Sequence, residues 1–132
     1  MDAPVQMWKS TAFSIERVDG KRPGTVIFRM VGPFTARDMY GSLTPAALQQ
    51  MLNFQSTPDE VRPAVNILDL SEVPYMDSKG LGMVVNHHTS CQGKGVRLVV
   101  AGATPRVQEL FAMTKVDTIL SLSPTVADAD IA

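Results

Sequence analysis

The run A-V-N-I-L-D-L at 64–70 constrains the fold more than any other stretch of this chain. A strand with one wet face alternates apolar and polar residues. A near-continuous apolar run has to be covered on both faces, which places it at the centre of a sheet. R-L-V-V-A at 97–101 has the same character. Between the two, the stretch from Ser78 to about Gln92 carries Leu81, Val84, Val85 and His88 at i, i+3, i+4 and i+7, so the spacing predicts a helix. Gly93 and Gly95 then offer a left-handed exit. Strand, helix and strand in this order imply a right-handed crossover.

The flanking segments extend the same pattern. F-S-I-E-R-V at 13–18 and T-V-I-F-R-M-V at 25–31 read as strands, and the turn-rich D-G-K-R-P-G between them predicts an antiparallel hairpin. Thr44-Pro45, Thr104-Pro105 and Ser123-Pro124 each place a hydroxyl before a proline, an entry signal for three helices. Leu48, Met51 and Leu52 follow the first at helical spacing; Val107, Leu110 and Phe111 follow the second. I-L-S-L at 119–122 reads as a short strand. The expected architecture is α/β: one domain over 1–132, core about 13–122, with an N-terminal hairpin, then alternating βα units, in a mixed sheet with helices packed against it.

Composition narrows the function classes. The net charge is −1 with 19% charged residues, and Lys and Arg are scattered, so no basic face is available for nucleic acid or an anionic membrane. The longest apolar runs fall far short of the ~20 residues a membrane span needs. The start, M-D-A-P-V-Q-M-W-K, lacks a secretory pattern, and a single cysteine, Cys91, fits a reducing compartment. A cytoplasmic protein that neither inserts in a membrane nor binds nucleic acid directly is expected.

Catalytic chemistry finds few parts. A reactive serine needs a base within hydrogen-bond reach. The only histidines, His87 and His88, lie nine and ten residues beyond Ser78 on one predicted helix, roughly 13–15 Å away at ~1.5 Å per residue. His88 and Cys91 can both approach one ion, but a site needs a third ligand and His87 points to another face, so no metal is expected. His88, on the apolar stripe, reads as a core histidine with a satisfied hydrogen bond. No phosphate-cradling glycine loop is present. Asp69, Glu72 and Asp77 gather at the carboxyl end of the central strand, where ligands and partners of open sheets tend to sit, without forming an acid/base pair. No enzyme and no cofactor is expected.

That edge carries V-P-Y-M-D-S-K-G-L-G at 73–82. Asp77 or Ser78 can cap the helix that follows, worth about 1 kcal/mol. The run from Ile67 to Gly82, with V-R-L-V-V-A-G at 96–102 and P-R-V-Q-E-L-F at 105–111, resembles the STAS domain of anti-sigma factor antagonists. The specific part is D-S-K-G-L-G at 77–82. The resemblance implies a STAS-like fold and a binding protein that frees a sigma factor. Its partners would be a serine kinase that is also the anti-sigma factor and a serine phosphatase. It also implies phosphorylation at Ser78 and a partner-binding surface of Tyr75, Met76, Asp77, Ser78, Lys79 and Gly80. Lys79 stands where the family often has a second Ser or Thr. Gly32-Pro33-Phe34-Thr35 lacks the acidic residue of the family's early motif. The alternative is a STAS-like scaffold subunit, beside a transporter or in a signalling assembly, without a phosphorylation cycle.

Overall fold

A computed structural model describes residues 5–9, 12–39 and 64–131. Its strands are β1 (Val5–Lys9), β2 (Ser14–Asp19), β3 (Thr25–Val31), β4 (Val65–Glu72), β5 (Arg97–Ala101) and β6 (Leu122–Ser123). Its helices are α1 (Ala36–Met39), α2 (Ser78–Gly93), α3 (Pro105–Met113) and α4 (Val126–Ile131), with a 3-10 turn at Val116–Thr118. The strands form one sheet in the order β1-β2-β3-β4-β5-β6. The first two pairings are antiparallel and the remaining three parallel, so the sheet is mixed, as the alternation of elements predicts.

The apolar run sits where its composition requires. Ile67 pairs with Ile27 and Val99, and Leu68 with Phe28 and Val100. The pleat sends these two rows to opposite faces. Phe28, Leu68, Leu70 and Val100 join Phe13, Ile15, Met83, Val84, Val107 and Phe111 in the larger core, beneath α2 and α3. Ile27, Ile67, Val99 and Ala101 form a smaller core on the other face, capped by Ala129 of α4. Fully burying one such side chain is worth about 1.5–3 kcal/mol, so the doubly covered β4 anchors the molecule.

Several expectations need correction. β1 was not expected: its five residues contain a bulge between Gln6 and Trp8, which breaks the period-two pattern that reveals a strand. The short strand lies at Leu122–Ser123, not 119–122, because the amides of Ile119 and Leu120 both donate to the Val116 carbonyl in the 3-10 turn. The last helix starts at Val126, and the Thr125 hydroxyl, not Ser123, accepts the Asp128 amide (3.0 Å). Thr104 does precede α3 with Pro105 in the first turn, but its hydroxyl donates to the Val73 carbonyl (2.8 Å) instead of capping the helix. The helix expected after Thr44-Pro45 lies outside the described residues.

The inward face of α2 is also rotated from expectation. Gly80, Met83, Val84, His87 and Cys91 are buried, whereas Leu81, Val85 and His88 are partly covered. The stripe therefore runs one residue earlier. Both phases contain apolar residues at helical spacing; what separates them is the buried Asn66 on β4, which gives His87 a partner. At the helix end, Gly95 takes the left-handed conformation (φ 71°) and Gly93 remains helical.

Candidate functional site

The candidate site is the chain's passage from β4 into α2. Val73 turns the strand off, its amide donating to the Leu70 carbonyl (3.0 Å). The segment then runs beside the chain that leaves β3. Phe34 N–H donates to the Tyr75 carbonyl (3.1 Å), and Phe34 and Met76 form an isolated parallel bridge. Phe34 is itself buried, stacked on Phe13 with ring centroids 5.1 Å apart. The turn thus rests on an aromatic pair of the larger core.

Asp77 resolves which residue caps the helix. Its backbone is extended (φ −103°, ψ −174°) and its Oδ1 accepts the Gly80 amide at 3.0 Å. Its Oδ2 accepts the Ala36 amide at 2.9 Å. One carboxylate therefore satisfies an orphan donor of α2 and ties that helix to the start of α1. Ser78 is the first residue of α2 and is exposed; among the described residues, nothing hydrogen-bonds its hydroxyl. Gly80 faces inward, where a Cβ would lie 2.1 Å from the Phe34 carbonyl oxygen, so only glycine lets the two segments approach this closely.

The six residues from Tyr75 to Gly80 divide by depth. Met76 and Gly80 are buried, Asp77 and Lys79 partly covered, and Tyr75 and Ser78 exposed. Arg106, the second residue of α3, lays its guanidinium over the Tyr75 ring, 4.9 Å from the centroid. Sequence reading did not assign Arg106 to this edge, because nothing in its local spacing ties it to Tyr75. The Thr104 bond to Val73 brings the two together.

The acids of this edge are engaged locally. Asp69 is buried and accepts from both the amide (2.9 Å) and the hydroxyl (2.6 Å) of Ser71. Glu72 pairs with Arg29, which also reaches Glu16 at 3.4 Å. Among the described residues, no three His, Cys, Asp or Glu side chains gather to hold a metal.

The core histidine is His87, not His88. Its Nε2–H donates to Asn66 Oδ1 (3.0 Å), and Cys91 Sγ lies 3.8–3.9 Å from the ring nitrogens. Burial, helped by Lys94 and His88, lowers the His87 pKa to about 4. Burial raises the Cys91 pKa to about 11 despite the opposing pull of Lys94. A buried, protonated thiol is a poor nucleophile, so this row fits packing between β4 and α2. Asn66 Nδ2 is buried without a partner among the described residues.

The STAS domain model matches residues 18–129. An anti-sigma-B factor antagonist of Listeria monocytogenes is 38% identical over 55 residues, which take in 42% of this chain and 48% of that protein. The chain thus spans about half the length of the curated relatives it matches. A crystal structure of an anti-sigma factor antagonist from Mycobacterium paratuberculosis superposes with a TM-score of 0.67 at 22% identity, covering 92% of this chain and 95% of that one. A sulfate transporter family protein from Wolinella succinogenes superposes with a TM-score of 0.65 at 19% identity, covering 83% and 84%. At these identities the structures speak to the fold alone.

Proposed function

The chain belongs to the STAS domain family, and from that premise we propose that it is an anti-sigma factor antagonist switched by reversible phosphorylation of Ser78. The partners are a serine kinase that is also the anti-sigma factor and a phosphatase that resets the cycle. The observation that carries this reading is the division of labour at the start of α2. Asp77 does the capping, so Ser78 stands exposed with its hydroxyl uncommitted among the described residues.

The mechanism follows from charge. Phosphorylation adds about −1.5 to −2 charges. The amino end of α2 favours an anion by roughly 0.3–1 kcal/mol, Asp77 opposes it, and Lys79 offsets part of it. Within the domain these contributions nearly cancel. At a tight interface the same phosphate has to be desolvated, and a loss of a few kcal/mol there is tenfold or more in affinity. The switch therefore acts on binding rather than on folding.

The test incubates the chain with ATP and a purified anti-sigma-type serine kinase from the same organism, then reads intact mass. One added phosphate, absent in Ser78→Ala, supports the cycle. No modification by any such kinase favours the second reading, a STAS scaffold without phosphorylation. Two observations favour that reading: the fold is shared with a sulfate transporter family protein, and Lys79 replaces a second hydroxyl. Among the described residues no helix is long and apolar enough to cross a membrane.

A further inference from the structure

A groove of about 250 Å³ lies between the turn that precedes Ser78 and the outer face of α3, lined by Tyr75, Met76, Arg106, Glu109, Leu110 and Met113. The four α3 residues fall at i, i+3, i+4 and i+7, one side of the helix. Met113 is 74% exposed and Tyr75 38%, two of the four large hydrophobics left open to solvent among the described residues. Leu110 is half-buried between them. The Arg106 guanidinium braces the Tyr75 ring at 4.9 Å. Neither Arg106 nor Glu109 has an ion-pair partner among the described residues.

We infer that this groove is the second half of the docking surface for the kinase that reads Ser78, an inference that rests on the proposed function. Size is the first reason. A stable protein interface covers roughly 800 Å² on each partner, far more than Ser78 and Lys79 present. The footprint has to extend along the surface, and the groove adjoins the site: Tyr75 and Met76, which line it, directly precede Asp77 and Ser78. The Thr104 hydroxyl holds α3 against Val73, so the two halves are fixed in one frame. Chemistry is the second reason. Tyr, Arg and Met are enriched where partners dock, around an apolar centre. The matching occupant is an apolar side chain of the kinase set over Leu110, with a carboxylate to meet Arg106 and a cation to meet Glu109.

Calorimetric titration of the unphosphorylated full chain with the kinase that modifies Ser78 tests this. Met113→Glu and Arg106→Glu are each expected to weaken binding at least tenfold with an unchanged melting temperature. Ile119→Glu, at an exposed apolar position outside the groove, is expected to leave binding unchanged. Wild-type affinity in both groove variants, or equal weakening by Ile119→Glu, overturns the inference while leaving Ser78 switching intact. A concentration-dependent dimer dissolved by the groove substitutions, with kinase affinity retained, assigns the groove to a second copy and also overturns it. A wild-type chain that neither binds nor is phosphorylated overturns the functional reading and this inference together.

Discussion

At the residue scale, Asp77 and Ser78 are adjacent and do different work. Asp77 accepts two backbone amides from different segments. Asp77→Ala removes a cap and a tether and is expected to cost about 1–2 kcal/mol in urea unfolding. Ser78→Ala is expected to stay within about 0.5 kcal/mol, as for other exposed positions. Ser78→Asp should likewise leave the melting temperature nearly unchanged while abolishing kinase binding. A large loss of stability with intact binding would contradict the switch. Gly80→Ala sets two effects against each other. Helix propensity favours alanine by up to ~1 kcal/mol. A Cβ 2.1 Å from the Phe34 carbonyl oxygen forces the backbone apart, and overpacking of this kind costs about 1–3 kcal/mol. The contact wins, and a lowered melting temperature is expected. The motif was legible in sequence, but the choice of Asp77 over Ser78 as cap was not, because both residue types cap helices equally well.

At the element scale, β4 and α2 meet across a polar contact inside an apolar interface. His87 is neutral in the fold, with a pKa of about 4 against 6.5 in the free side chain. Between those values the unfolded chain takes up a proton that the folded chain refuses, so acid favours unfolding. The stability contributed by neutral burial is fully present above pH 6.5 and is lost as the pH falls toward 4. Its size is at most about 3–4 kcal/mol, since each tenfold change in proton affinity is worth about 1.4 kcal/mol. Urea titrations at a series of pH values should show this slope, and His87→Gln should flatten it whatever its effect at neutral pH. The existence of α2 was readable from period and turn residues. Its rotation was not, because apolar residues occupy two overlapping stripes and only Asn66, distant in sequence, distinguishes them. β6 illustrates the same limit: Ile119 and Leu120 have strand-like side chains, yet their amides bond within a turn.

At the scale of the whole molecule, the last helix closes the second face of the sheet. α4 packs Ala129 against Ile67 and Val99. The buried carboxylate of Asp130 then accepts the Lys21 amide with both oxygens at 3.0 Å, 109 residues away in sequence. Asp130→Ala is expected to cost about 1–2 kcal/mol. In hydrogen exchange it should speed the Lys21 amide well before those of β4. Equal acceleration throughout the sheet would instead mean that α4 holds up the whole core.

The sequence by itself determined the class of the sheet and its central strands, though not β1 or the bounds of β6. A strand apolar on both faces must be central, and the elements around it leave little choice of order. It also located a helix start whose side-chain chemistry, D-S-K-G-L-G, is local and can be read without a fold. Tertiary structure decided how that chemistry is presented. Phe34 sets how close Gly80 may come, Ala36 engages the second oxygen of Asp77, and Asn66 turns His87 inward. Arg106 reaches Tyr75 because Thr104 is tied to Val73. Each of these contacts joins segments distant in sequence. Spacing along the chain carries no information about such pairs, because they exist only once the sheet and its helices have packed together.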